Sequence, residues 1–202
     1  MTVVAVVISD RPRDLYLNDC LDNLFAYLVA DYEVHVVDDT AHEMGMAGAV
    51  KDGWQWAVRQ NADYLLHIEE DFRLIDLPLR AMRQVLDLNP HLAQVVLKRQ
   101  PWSNEERAAG GQIETNPDAY VQREAGGLRW VEHATLFSVN PCLIPRRTLD
   151  LEWSPTHPGG VERAITEACE AADMHFAYYG HRTDPPRCEH VGHVRASTGW
   201  RW

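Results

Sequence analysis

Tyr64-Leu65-Leu66-His67-Ile68-Glu69-Glu70-Asp71-Phe72 is an apolar run of strand type that stops at three consecutive carboxylates. Three adjacent negative charges repel one another and are costly to hold at the end of a buried strand. A hard divalent cation such as Mg²⁺ or Mn²⁺ would relieve that cost. The carboxyl ends of sheet strands are also where open α/β folds bind their ligands. The stretch therefore points to a metal-dependent enzyme acting on a phosphorylated substrate. A solvated acidic turn is the competing reading of the same residues.

Working outward, strand and helix patterns alternate. Val3 to Ile8 is a continuous β-branched run, the mark of a buried parallel strand, and Ser9-Asp10-Arg11-Pro12 breaks it. Leu17, Leu21, Leu24 and Leu28 recur at helical spacing. Glu33 to Val37 reads as a second strand ending in Asp38-Asp39-Thr40, and Ala47, Val50, Trp54 and Ala57 form the stripe of a second helix. Asp63 to Ile68 is the third strand. Leu79, Met82, Val85 and Leu86 predict a third helix, stopped by Asn89-Pro90, and Gln94 to Leu97 a fourth strand. Three β-α units in the first ninety residues predict a doubly wound, mainly parallel sheet whose strand ends face one crevice.

The second half is less regular. Pro101 to Tyr120 reads as a long loop or broken helix. Val121 to Glu124 and Leu128 to Val131 flank Gly126-Gly127 and predict a hairpin. Leu136 to Ile144 reads as a further strand and Gly160 to Ala172 as a helix. The tail, Cys188-Glu189-His190-Val191-Gly192-His193-Val194-Arg195, is rich in metal-ligand types.

The 202 residues suit one domain, and 46% hydrophobic content with seven Trp supplies a core. A net charge of -11 argues against a broad nucleic-acid surface but leaves room for one bound nucleotide. No run approaches the ~18 apolar residues of a membrane span. The opening MTVVAVVISDRP lacks the pattern of a signal peptide, and Cys20, Cys142, Cys169 and Cys188 form no C-x-x-C pair. Both features lead us to expect reduced thiols in a cytoplasmic protein. Phosphate loops, dinucleotide fingerprints, esterase elbows and zinc-protease helices are all missing from the sequence. A phosphate would have to be held by metal and basic side chains.

The ordered set of Ser9-Asp10-Arg11-Pro12, Val37-Asp38-Asp39 and Glu69-Glu70-Asp71 resembles the nucleotide-sugar half of a GT-A fold glycosyltransferase, most like the inverting family-two type. The resemblance covers about the first hundred residues well and the remainder loosely. It implies a Rossmann-like three-layer sandwich, with residues 1–100 as the nucleotide-sugar-binding half and 101–202 as an acceptor-side half carrying a metal-ligating tail. It assigns Ser9, Asp10 and Arg11 to the nucleobase and ribose, and Asp38 or Asp39 to the base. Glu69-Glu70-Asp71 matches the family's D-x-D motif as E-x-D, with Asp71 as the direct ligand of Mn²⁺ or Mg²⁺. The late His of such enzymes falls on His190 or His193, with His190 favoured because it begins His-Val-Gly.

Lys51, Arg182 and Arg195 are candidate phosphate neighbours. Glu162, just after Gly159-Gly160, matches the general base, although the family pattern is an acidic pair and here one acid stands alone. An ordinary first-turn Glu that complements the helix dipole explains it equally well. Glu132 and Glu152 are the reserves. Trp102, Trp130 and Trp153 are candidates for an acceptor platform. The implied reaction moves a sugar from a nucleoside diphosphate donor, UDP before GDP, to a hydroxyl of a protein, glycan or small molecule. A sugar-nucleotide nucleotidyltransferase and a non-catalytic nucleotide- or carbohydrate-binding module are the alternatives.

Overall fold

The structure is a computed structural model that describes residues 2–9, 16–28, 32–41, 43–158 and 160–192. Strand β1 (Val3–Ser9) leads to helix α1 (Leu17–Tyr27), then β2 (Glu33–Asp38), α2 (Gly45–Arg59) and β3 (Tyr64–Glu69). A short β4 (Phe72–Leu74) follows the acidic turn, then α3 (Leu79–Leu88) and β5 (Leu92–Val96). Residues 101–120 form α4 (Asn104–Ala109) and two single 3₁₀ turns, which is the broken helix that their polar, glycine-containing sequence predicts. The hairpin β6 (Val121–Ala125) and β7 (Leu128–His133) comes next, then β8 (Cys142–Pro145), α5 (Arg146–Leu149), α6 (Gly160–Ala171), β9 (His175–Tyr179) and β10 (Cys188–His190). Gly126 and Gly127 both have positive φ, as the tight turn between twisted strands requires.

Eight strands form one sheet in the order β2-β1-β3-β8-β5-β9-β7-β6. The expectation of a mainly parallel sheet holds in part. Strands β1, β2 and β3 pair in parallel, as do β5 and β9, but β8 runs antiparallel between β3 and β5, and β7 antiparallel between β9 and β6. The sheet is mixed. Because β8 lies between β3 and β5, the residues before and after position 100 share one sheet.

Helices cover both faces, giving three layers. Val4, Val6 and Ile8 of β1 pack with Val50 and Trp54 of α2 and Ile165 of α6. Ala5 and Val7 pack on the other face with Leu24 of α1 and Met82, Val85 and Leu86 of α3. The alternation along one strand feeding two apolar layers is what a strand buried on both sides must do. Among the described residues, no helix is long and apolar enough to cross a membrane.

The expected strand over Leu136 to Ile144 is a correction. Only its end, Cys142–Pro145, is a strand. The amides that a neighbouring strand would have bound are taken by α6 instead. The Phe137 N–H donates to Thr166 Oγ1 (2.8 Å) and the Val139 N–H to Glu162 Oε1 (3.1 Å). Pro141 has no N–H to offer a ladder. The segment is apolar because it is buried, and its backbone bonds to a helix rather than to a sheet.

Candidate active site

The chain leaves β1 for β2 on one side and returns to β3 on the other, so the sheet has a switch point between β1 and β3. A cleft of about 710 Å³ opens there, at the carboxyl ends of these strands. Ile8, Glu69 and Asp71 supply its floor. Met46 and Ala47 at the start of α2, Trp102 beside α4, the loop 135–140, Glu162 of α6 and His190 of β10 supply the walls.

Local geometry explains why Asp71 and His190, far apart in sequence, meet. The chain reverses after β3, and β4 pairs antiparallel with β10, placing His190 opposite Phe72. The Val191 N–H donates to the Asp71 carbonyl (2.8 Å). Gln100 fixes the other side of His190: its Oε1 accepts the His190 N–H (2.9 Å) and its Nε2 donates to the His190 carbonyl (3.0 Å). His190 Nε2 then lies 3.1 Å from Asp71 Oδ2. The imidazole edge also contacts Trp102, with ring centroids 4.0 Å apart. Gly192 is the permissive residue here. A Cβ at that position would fall 2.8 Å from the Asp71 Cβ and closer still to its carboxylate, so only glycine lets the tail close over Asp71. Asp71 is 1% exposed, a desolvated carboxylate facing an imidazole.

Glu162 reaches the cleft from the first turn of α6. It accepts the Val139 N–H through Oε1, while Thr166 Oγ1 donates to the Glu162 carbonyl (2.6 Å) and holds Phe137. One side chain thus pins the loop 135–140 and presents a carboxylate to the cavity. Glu69, Asp71, Glu162 and His190 are the sequence-derived candidates that the fold brings to one cleft.

The other candidates are placed elsewhere. Ser9 and Glu70 point to the opposite face of the sheet, where the Ser9 hydroxyl donates to Glu70 Oε2 in a buried pair. Glu70 borders a second cavity of about 500 Å³ beside α1 with Tyr16, Asp19 and Cys20. The period of the strand explains this, because Glu70 follows Glu69 and must turn the other way. Asp39 is buried and accepts the Met44 N–H (2.9 Å) at the entry to α2. Asp38 is exposed and accepts from the Thr40 N–H and hydroxyl. Lys51 donates to the Trp153 carbonyl (2.9 Å) and lies over its ring, so it ties α2 to the segment around Trp153. Arg182 donates to the carbonyls of Pro117 and Tyr120. Trp130 and Trp153 are core residues, and only Trp102 of the three lines the cleft. Asp10, Arg11, His193 and Arg195 lie outside the described residues.

Cys188 is buried, its thiol faces the Leu97 and Lys98 carbonyls, and burial pushes its pKa up to about 12. Burial pushes Cys20 up likewise, to about 12, with the charges of Glu70 and Asp71 adding to the effect. Glu132, held in reserve as a base, lies on the opposite sheet face between His91 and His175.

The structure adds residues that sequence reasoning missed. Arg99 and Glu106 line the cleft as a bidentate pair (2.7 and 2.9 Å), with the Trp102 N–H also on Glu106 Oε2 (2.6 Å). Burial works against both charges, and the pairing more than offsets it: the Glu106 pKa ends below its ordinary value and that of Arg99 above. His133 stacks on Tyr178 in the cleft wall, and burial, with the charge of His175 next, lowers its pKa to about 4. It is therefore a neutral imidazole at neutral pH. The His133–Tyr178 stack joins two different strands, β7 and β9, and the Arg99–Glu106 pair, seven residues apart across the turn into α4, matches no motif.

No protein-family model matches the chain, and no curated protein matches it in sequence. A solved structure described as the crystal structure of A197 from STIV is similar over 94% of this chain and 81% of its own. The identity is 12% and the TM-score 0.49. At that identity the likeness says nothing about activity.

Chemically, the cleft combines a buried carboxylate against an imidazole, the further carboxylates of Glu69, Glu105 and Glu162, a guanidinium paired with Glu106 and an indole face. Among the described residues, the group of three potential metal ligands gathered within 4.8 Å is His91, Glu132 and His175, outside this cleft. Asp71 and His190 provide two ligand atoms here.

Proposed function

We propose that this chain is a metal-dependent glycosyltransferase of GT-A type that takes a sugar from a nucleoside diphosphate donor, UDP before GDP. The observation that carries the reading is the meeting of Asp71 and His190 in the cleft that also holds Glu69 and Glu162. The two ligand atoms are 3.1 Å apart, close to the spacing of neighbouring ligands on one divalent ion with bonds of roughly 2.1 Å. A carboxylate with an imidazole suits Mn²⁺ better than Mg²⁺. Asp71 and His190 would hold the ion. When bound, such a cation neutralises the diphosphate and stabilises the departing nucleotide.

The chain's own residues supply the rest. Glu162 accepts the proton of the acceptor hydroxyl as its oxygen bonds to the anomeric carbon. The bond from that carbon to the diphosphate breaks, and its electron pair leaves with the nucleotide. Attack from the face opposite the leaving group inverts the anomeric centre. Arg99, already oriented by Glu106, adds positive charge to the cleft wall, and Trp102 offers an aromatic face to a sugar ring. Acceptors are protein, glycan or small-molecule hydroxyls. Cys20, Cys142, Cys169 and Cys188 are all unpaired, which supports a reducing, cytoplasmic setting.

The reading is tested by release of UDP or GDP from a panel of sugar nucleotides with Mn²⁺, with EDTA, and with the Asp71→Asn variant. Release by the wild type with Mn²⁺ alone supports it. Equal release by all three samples, or none from any donor over a broad acceptor panel, rejects it and favours a binding module.

A further inference from the structure

The cluster on the other face of the sheet has a chemistry of its own. His91 immediately precedes β5, Glu132 lies on β7, and His175 opens β9. The three come from adjacent strands whose pairing fixes their backbones. The His175 N–H donates to the His91 carbonyl (2.9 Å), and Glu132 is in register with Ala177 of β9. Glu132 Oε1 lies 2.9 Å from His175 Nδ1 and 3.3 Å from His91 Nε2. Its other oxygen, Oε2, is engaged by Arg123 Nε at 3.3 Å, which turns Oε1 toward the two rings. The rings stand edge to face, with centroids 5.8 Å apart, and each brings a nitrogen to Glu132 Oε1.

We propose that His91, Glu132 and His175 form a binding site for a divalent transition-metal ion of the Zn²⁺ class, separate from the cleft. One ligand atom from each of the three lies within 4.8 Å of the others. A tetrahedral Zn²⁺ with bonds near 2.0–2.1 Å sets its ligands roughly 3.3 Å apart, so small side-chain movements complete the arrangement. Two imidazoles with one carboxylate select Zn²⁺, Co²⁺ or Ni²⁺ over Mg²⁺ and Ca²⁺. The carboxylate is nearly buried while each imidazole is more than two-fifths exposed. Solvent can therefore reach the remaining coordination position, as in an open three-ligand site. Arg123 on the outer oxygen is the kind of neighbour that orients a ligating carboxylate.

The site does not depend on the transferase reading, and the test keeps the two apart. The full chain, stripped with EDTA, is titrated with Zn²⁺ by calorimetry and with Co²⁺ by visible absorption. Parallel titrations use His91→Gln, His175→Gln and Asp71→Asn. The expected result is one tight Zn²⁺ equivalent and a tetrahedral Co²⁺ spectrum in the wild type and in Asp71→Asn. Each histidine variant should weaken binding by about tenfold or more. Zinc-induced shifts of the His91 and His175 ring resonances in the wild type give the same answer without any variant. The proposal is overturned if Zn²⁺ does not bind, if binding is lost in Asp71→Asn and kept in the histidine variants, or if those resonances do not move.

Discussion

Two carboxylate–imidazole meetings, on opposite faces of one sheet, differ in what surrounds them. Asp71 is buried in a turn, sealed by the Gly192 backbone and faced by a His190 that Gln100 holds at both backbone ends. It opens into a cleft that also holds Glu69, Glu162 and Arg99. Glu132 is held by Arg123 and faces two largely exposed rings. The same pair of groups can therefore serve a large substrate in one place and a bare ion in the other. What decides is the cavity and its further charges, not the pair. Breaking one meeting should leave the other intact.

The largest effect is expected from Asp71→Asn. Losing several kcal/mol of charge stabilisation at a bound diphosphate should cut transfer roughly a thousandfold or more with the fold retained, read by initial rates and circular dichroism. The same rates in His175→Gln should match the wild type. Loss in both variants would merge two sites that the account separates. Glu162→Gln comes next, with turnover down about a hundredfold or more and donor affinity kept, as removal of a general base requires. A parallel rise in the donor Kd would instead make Glu162 a loop anchor alone, through its bond to Val139.

Gly192→Ala sharpens the comparison through packing. The added Cβ collides with Asp71 and should cost about 1–3 kcal/mol of stability, measured by urea unfolding, and weaken metal-dependent nucleotide binding with it. An unchanged midpoint with full binding would mean that the tail does not close over Asp71.

A pH dependence from two buried histidines completes the set. Burial lowers the His67 pKa to about 4, and His133 sits at about 4 for the same first cause. In the unfolded chain both return to about 6.5. Between those values the unfolded state binds more protons, so stability must fall as pH drops from about 6.5 to about 4 and level off below. Urea midpoints at pH 7 and pH 5 test the sign, and His67→Leu should flatten the slope. A higher midpoint at pH 5 would contradict it.

Much of the first half of the fold was legible because β-branched runs and leucine stripes each carry one period. Val3 to Ile8 and the Leu79–Leu86 stripe are examples. In the second half the hairpin at Gly126-Gly127 and the helix Gly160–Ala171 were legible too, but the order of the mixed sheet was not. The short strands Phe72–Leu74, His175–Tyr179 and Cys188–His190 hold too few residues to show a period, and their pairing is set by distant partners. The run 136–144 misled because burial was read as strand while its amides bond to α6. Glu162 and His190 are singled out through the family resemblance rather than a local pattern, and the fold brings both to the cleft that holds Asp71. Glu70 could not be told from Glu69 until the pleat put them on opposite faces. The His91–Glu132–His175 group joins distant segments and has no local signature.

The most direct test of the cleft is thermal unfolding with UDP or GDP, with Mn²⁺ or with EDTA, in the wild type and in Asp71→Asn. Ligand at about a hundred times its Kd adds about 2.7 kcal/mol, or roughly 5–10 °C for a chain of this size. Such a rise is expected with one diphosphate and Mn²⁺, and it should be abolished by EDTA and by Asp71→Asn. No rise with either nucleotide, or an equal rise in the variant, would contradict it.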